Sequence, residues 1–227
     1  MSLGGKARAK FLCDSERCIE CNACVTACKN ENEVPWGINR RRVVTINDGS
    51  PGERSISVAC MHCSDAPCMA VCPVDCFYQT DDGIVLHSKD LCIGCGYCFY
   101  ACPFGAPQFP QAGNFGSRGK MDKCTFCAGG PEDDNSQAEF QKYGSNRVSE
   151  GKLPACAEQC ATKALLAGDG DDVAAIYRER VVTRGTRTHD VTCQDRRHVA
   201  HVFRNTRKTN TRAATAVTQP VQYPYAR

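Results

Sequence analysis

The sequence predicts an irregular α+β fold: short strands and short helices joined by long loops that wrap around bound groups. Three observations lead to that class. Nineteen of the 227 residues are cysteine, and most of them fall into four closely spaced runs. A short β-prone stretch precedes each of the first three runs, so one unit of strand, loop and short helix recurs along the chain. Core-forming residues are also sparse, because the 42% hydrophobic content counts the cysteines and only nine Phe, seven Tyr and one Trp accompany them. Groups held by thiolates would then supply part of the folding free energy, as structural metals do in small domains.

Two uses of so much cysteine compete, disulfides and metal. The opening residues, MSLGGKARAK, contain no apolar core segment, so no secretory signal is expected and the disulfide-rich secreted class loses its support. Arg40 to Arg42 are internal and lead into only two valines, unlike a twin-arginine signal. No stretch of about 18 apolar residues occurs, so no transmembrane helix is expected. Cysteines three apart on one turn serve a metal centre better than they serve each other.

The first run, CIECNACVTACK, holds Cys18, Cys21, Cys24 and Cys28; the third, CIGCGYCFYACP, holds Cys92, Cys95, Cys98 and Cys102 at the same spacing. That spacing, with Pro103 after it, is the bacterial ferredoxin run. The second, CMHCSDAPCMAVCP, lengthens one gap and holds Cys60, Cys63, Cys68 and Cys72 before Pro73. The fourth opens with Cys124 and Cys127 and is completed by Cys156 and Cys160, after 28 intervening residues. A 4Fe–4S cube takes one soft thiolate per iron, from four directions. Three closely spaced cysteines curl around one face, and the fourth is carried away to the other cluster of a pair. Four runs make two pairs. The predicted architecture is therefore two bacterial-ferredoxin-type (2×4Fe–4S) modules holding four clusters. Cys13, Cys76 and Cys193 lie outside the runs. Cys13 and Cys76 read as small buried hydrophobes, although Cys76, four residues beyond Cys72, is placed to replace it. Cys193 lies near His189 and His198 with no ligand spacing.

The elements follow in order. KFL before the first run, SISVA before the second and GIVLH before the third read as strands. CFYQT and GIVLH flank Asp81 to Gly83, a two-strand turn signal. Ala23–Asn30, Met69–Val74 and Tyr97–Pro103 read as helical turns carrying the fourth cysteines, stopped by proline after Cys72 and Cys102. DGDDVAAIYRERVV, with Val173, Ile176, Tyr177 and Val181 at helical period, reads as the one ordinary amphipathic helix. The 128–155 insert, polar and with five acids against three bases, reads as a surface loop. From Arg178 onward 11 Lys and Arg face three Asp and Glu, a net of +8 in a chain of net +3. This end reads as a solvated basic tail, with docking to an acidic partner or membrane headgroups as its functional counterpart.

CMHCSDAPCMAVCP, GIVLHSKDLCIGCGYCFYACPFGAP, KCTFC and PACAEQCATKALLAGD resemble the four-cluster iron–sulfur subunits of molybdopterin oxidoreductases. The resemblance covers about residues 8 to 182 and is greatest to the beta subunits of formate dehydrogenase. It implies that outer runs pair together and inner runs pair together. Cys18, Cys21 and Cys24 would then share a cluster with Cys160, and Cys124, Cys127 and Cys156 with Cys28. Cys60, Cys63 and Cys68 would share one with Cys102, and Cys92, Cys95 and Cys98 with Cys72. The implied modules are an outer one, residues 1–52 and 104–182 with the insert 128–155, and an inner one, residues 53–103. The basic tail, 183–227, lies beyond the resemblance. Lys29 and Ala161 depart from the proline that many relatives carry after Cys28 and Cys160.

The expected function is one-electron conduction without substrate chemistry. The resemblance implies that electrons arrive from a separate molybdenum or tungsten pterin subunit, formate being the implied substrate and dimethyl sulfoxide, polysulfide or nitrate the alternatives. They would leave to a membrane cytochrome b or quinone-reactive subunit or another acceptor. The complex would be membrane-associated through its partners, exported with a signal-bearing catalytic subunit, or else cytoplasmic. No nucleic acid and no small-molecule substrate are expected. Lys29, Lys120 and Lys123 stand near the outer runs in sequence, either raising cluster potentials or as plain surface lysines. A zinc-binding interaction module is the rival from another class, but triple runs with a distant fourth cysteine waste zinc ligands. No nucleophile–base pair and no open metal position point to catalysis.

Overall fold

The computed structural model describes residues 8–132 and 135–185. Its architecture is three separate two-stranded antiparallel ribbons with short helices between them and no larger sheet among the described residues. β1 (Ala9–Cys13) pairs with β6 (Leu165–Asp169), Ala9 opposite Asp169 and Cys13 opposite Leu165. The two ends of the described chain thus close on one another. The apolar run Leu165–Ala167 forms β6 because it is buried on both sides. β2 (Arg41–Ile46) pairs with β3 (Arg54–Ala59), and β4 (Phe77–Gln79) with β5 (Val85–His87). The β4–β5 turn closes at Gly83, whose φ of +75° a side chain rarely adopts and whose Cβ would meet Arg8 Nε at 2.8 Å.

α1 (Ala23–Glu31) carries Cys24 and Cys28 and ends at Asn32, whose backbone and side-chain N–H groups both donate to the Cys28 carbonyl, at 3.3 and 3.0 Å. α2 (Pro67–Ala70) starts on proline, which has no N–H to lose at a helix start. It lies earlier than the Met69–Val74 turn expected from sequence and carries Cys68 instead of Cys72. Pro73 forces Cys72 out of helical geometry, since the residue before a proline disfavours it. α3 (Tyr97–Ala101) stops for the same reason, with Cys102 extended at ψ 114° before Pro103. α5 (Ala155–Glu158) presents Cys156 to the interior.

α6 (Gly170–Gly185) runs three residues past the expected helix. Its last turns are held by Arg180, 3.4 Å from the Asp14 carboxylate, and by Arg184, which also contacts that fully buried carboxylate. Residues 183–185 of the expected basic tail are therefore helical. The rest of the tail, with Cys193, His189 and His198, lies outside the described residues.

The insert is more than a surface loop. Ser136 caps α4 (Gln137–Tyr143), its Oγ accepting the Glu139 N–H at 3.2 Å, in the S-x-x-E pattern of a helix start. Tyr143 and Val148 are buried. The Tyr143 hydroxyl accepts the Lys89 backbone N–H at 2.6 Å, and its carbonyl accepts Arg40 Nη1 at 2.7 Å. Arg40 also forms a two-point pair with buried Asp122, at 2.5 and 2.8 Å, joined by Lys89 at 2.6 Å. Burial pushes the Asp122 carboxyl up, but Arg40 and Lys89 outweigh it and hold it at about 2.

Thiols organise the core. One apolar cluster holds Cys24, Cys28 and Cys156 with Phe126, Leu165, Leu166 and Val173. A second joins Cys60 and Cys124 through Ala59 and Ala106. A third holds Cys68, Cys92 and Cys98 with Phe77, Val85 and Met121.

Candidate metal centres

Each run begins with the same local geometry. The second residue after its first cysteine takes a left-handed backbone: Glu20 at φ 56°, His62 at 44°, Gly94 at 69° and Phe126 at 61°. One such residue in a tight loop turns successive N–H groups to one side and makes a concavity for an anionic group. The requirement is strict at Gly94, where a Cβ would meet the Gly119 carbonyl oxygen at 2.7 Å. At His62 and Phe126 it costs on the order of 1–3 kcal/mol each. Packing offsets that cost. The rings of His62 and Phe126 lie 5.5 Å apart edge to face, Phe11 sits 4.4 Å from Phe126, and His62 Nδ1 accepts the Val85 N–H at 3.1 Å.

The fourth cysteines share a second feature: each receives a hydrogen bond from four or five residues onward. The Cys76 N–H donates to Cys72 Sγ at 3.4 Å, Ala106 N–H to Cys102 Sγ at 3.5 Å, and Leu165 N–H to Cys160 Sγ at 3.4 Å. At Cys28 the donor is the Asn32 side-chain amide, 4.0 Å from its Sγ and 3.7 Å from that of Cys127. Donors aimed at sulfur fit thiolates that must stay ionised.

Two cavities show which cysteines come together. One is lined by Cys60, Cys63, Cys68 and Cys102. The other is lined by Cys72, Cys92, Cys95 and Cys98, with Cys76 as a fifth thiol. In both, three cysteines of one run meet the last cysteine of the other. Cys76 is buried, as expected, with its Sγ 3.5 Å from that of Cys72; its proximity to Cys92 pushes the Cys76 thiol up and draws the Cys92 thiol down.

In the outer half Cys28 faces Cys124, Cys156 and Cys127. Burial pushes the Cys156 thiol up to about 12, against the pull of Arg41. α1 packs on α5, which brings Cys24 into the same buried cluster as Cys160, two residues past the end of α5. Cys18 and Cys21 lie on the loop between β1 and α1, where Cys21 is exposed. Cys13 is only half-buried; its Sγ accepts the Ser57 N–H at 3.2 Å. Among the described residues every cysteine is a free thiol, and no three His, Cys, Asp or Glu side chains come close enough to hold a single ion. The cavities and N–H-lined loops fit a larger group with anionic sulfur.

Several residues of these sites carry no mark in the sequence. Ser57 and Asn32 touch the outer thiols and Arg41 reaches them through Ser57, yet none of the three stands in a cysteine motif. The β-branched run Val43 to Ile46 is the available signal for β2, and the arginines mask it. Lys123 is fully buried, with Nζ donating to the carbonyls of Val85 and, at 3.2 Å, Cys124. It lines the cavity of Cys60, so it serves the inner side as well as the outer, and it is no surface lysine. Lys120 reaches the Cys92 carbonyl at 2.5 Å, also on the inner side, while Lys29 is half-buried in the last turn of α1.

A family profile described as the 4Fe–4S dicluster domain matches residues 54–141, which include the second and third runs, Cys124 and Cys127. The formate dehydrogenase iron–sulfur subunit of Wolinella succinogenes is 65% identical over 187 residues, covering 82% of this chain and 94% of that one. The chain belongs to the family of 4Fe–4S iron–sulfur subunits. Other members include the thiosulfate reductase electron transfer subunit of Salmonella typhi, 38% identical over 71% of this chain and 76% of that one. The B subunit of the anaerobic dimethyl sulfoxide reductase of Escherichia coli is 33% identical, over 72% of this chain and 74% of its own length. As an iron–sulfur subunit the chain binds 4Fe–4S clusters and transfers electrons, without catalysis of its own. Iron thereby takes the place of the zinc weighed from the cysteine spacing. Among the described residues no helix is long and apolar enough to cross a membrane.

Proposed function

We propose that the chain holds four 4Fe–4S clusters in a line and relays single electrons from a molybdenum or tungsten pterin subunit that oxidises formate. The electrons leave to a membrane cytochrome b or quinone-reactive subunit, through which the complex is membrane-associated. The observation that carries the reading is the lining of the two cavities, each by three cysteines of one run and the fourth of its partner. The ligand sets are Cys60, Cys63, Cys68 with Cys102, and Cys92, Cys95, Cys98 with Cys72. The outer sets are Cys124, Cys127, Cys156 with Cys28, and Cys18, Cys21, Cys24 with Cys160. The two modules are the inner one, 53–103, and the outer one, 1–52 with 104–182.

The linear order is supported by the thiol-bearing core. Cys68 shares one apolar cluster with Cys92 and Cys98, Cys60 shares another with Cys124, and Cys24 shares a third with Cys28 and Cys156. Each set therefore touches the next. The bound clusters supply reversible one-electron chemistry. The chain's own residues fix their spacing, exclude water and set the local charge. Formate as the partner's substrate is favoured because identity to the formate dehydrogenase subunit is 65%, against 38% and 33% to the thiosulfate and dimethyl sulfoxide reductase subunits.

Purification of the native complex under anaerobic conditions, with identification of its largest subunit and its metal, tests the assignment. A molybdenum- or tungsten-containing formate-oxidising subunit is expected. A catalytic subunit that reduces a sulfur compound and leaves formate untouched would redirect the conduit to another enzyme.

A further inference from the structure

Arg41, the first residue of β2, is among the largest fully buried side chains, at 1% exposure. Its guanidinium carbon lies 4.3 Å over the Phe11 ring. Nη1 donates to Ser57 Oγ at 3.0 Å, and that hydroxyl lies 3.2 Å from Cys24 Sγ. Nε and Nη2 are buried with no hydrogen-bond partner. The neighbouring Arg40 is neutralised by Asp122, whereas Arg41 meets no carboxylate hydrogen bond among the described residues. The groups that act on it electrostatically are sulfurs: Cys156, Cys124 and Cys28 of one outer set and Cys24 of the other.

A guanidinium does not shed its proton in proteins, and a buried charge persists only where opposite charge answers it. Here that charge has to come from the thiolates and the clusters they hold. A cluster gains one negative charge on reduction. A fixed cation beside it stabilises the reduced form over the oxidised one, and burial strengthens the effect because little water screens it.

We propose that Arg41 is a shared potential-setting cation for the two outer centres. It raises the reduction potential of the centre held by Cys28, Cys124, Cys127 and Cys156 directly, and that of the centre held by Cys18, Cys21, Cys24 and Cys160 through the Ser57 hydroxyl. It is a positioning residue for charge, and its role rests on the four-cluster reading above. Electrons entering this half would settle where Arg41 holds them.

The test is an EPR-monitored redox titration of the intact complex, with iron content measured on each preparation. Arg41→Gln should lower the potentials of both outer centres, more for the centre of Cys28. The reduced-to-oxidised ratio of that centre at fixed potential should fall about tenfold, or about 59 mV for one electron. Arg41→Lys should recover most of the loss. Ser57→Ala should lower only the centre of Cys24. The centres of Cys60 and Cys92 serve as internal references and should not move. Unchanged outer potentials in iron-replete Arg41→Gln would overturn the proposal. If Arg41→Gln fails to load its outer centres, Ser57→Ala decides: an unmoved centre at Cys24 overturns the role. Fewer than four centres in the unsubstituted complex would sink the conduit reading itself, independently of any shift at Arg41.

Discussion

Cys102 faces Cys68 across a cavity that it shares with Cys60 and Cys63, although it closes the run that begins at Cys92. The reciprocal crossing puts Cys72 among Cys92, Cys95 and Cys98. The cause is local: α3 ends at Ala101, and Pro103 holds Cys102 extended, so its thiol projects away from its own loop. Cys102→Ser should therefore perturb the centre of Cys60, Cys63 and Cys68 and leave that of Cys92, Cys95 and Cys98 near its native signal. EPR on assigned centres reads the difference, and the reverse pattern would refute the exchange.

Lys123 stands between the two halves. Its ammonium lines the cavity of Cys60 and donates to the carbonyl of Cys124. Lys123→Met removes a buried positive charge at little cost in volume. The centre of Cys60 should then become harder to reduce, by on the order of 59 mV, a tenfold change in a one-electron ratio. The centre of Cys92 should change less. Potentiometry with and without the substitution measures both.

Sequence spacing alone predicts the four cysteine runs and the recurring strand, loop and helix unit, because metal chemistry constrains those positions directly. It predicts strands at KFL, SISVA and GIVLH, each of which forms part of a ribbon. β2 and β6 are hidden because their partners are distant or their patterns broken: Leu165–Ala167 forms a strand only because Phe11 and Leu12 lie opposite. Arg41 carries no sequence mark of burial, since an arginine in a charged triplet reads as solvent-facing until β2 turns it inward. The insert misleads by composition. Its acids are many, yet buried Tyr143, Val148 and Ala155 anchor it, and a few buried side chains suffice to fold a polar segment onto a core.

That anchoring gives the insert a measurable weight. Tyr143→Ala removes a buried ring 5.6 Å from His87 and the acceptor for the Lys89 N–H. A loss of about 3–5 kcal/mol is expected. Lys152→Ala breaks only an exposed pair with Glu150 and should change stability by less than about 0.5 kcal/mol. Denaturant unfolding of the loaded subunit, followed by circular dichroism, compares the two. Equal effects would mean that the insert does not pack as described.

The number of clusters is tested most directly by iron and acid-labile sulfide analysis of the anaerobically purified protein, per mole of chain. Four cubes require about sixteen of each, in a brown protein. About eight of each would mean that only two of the four proposed sites hold clusters. A colourless protein containing zinc would contradict the conduit altogether.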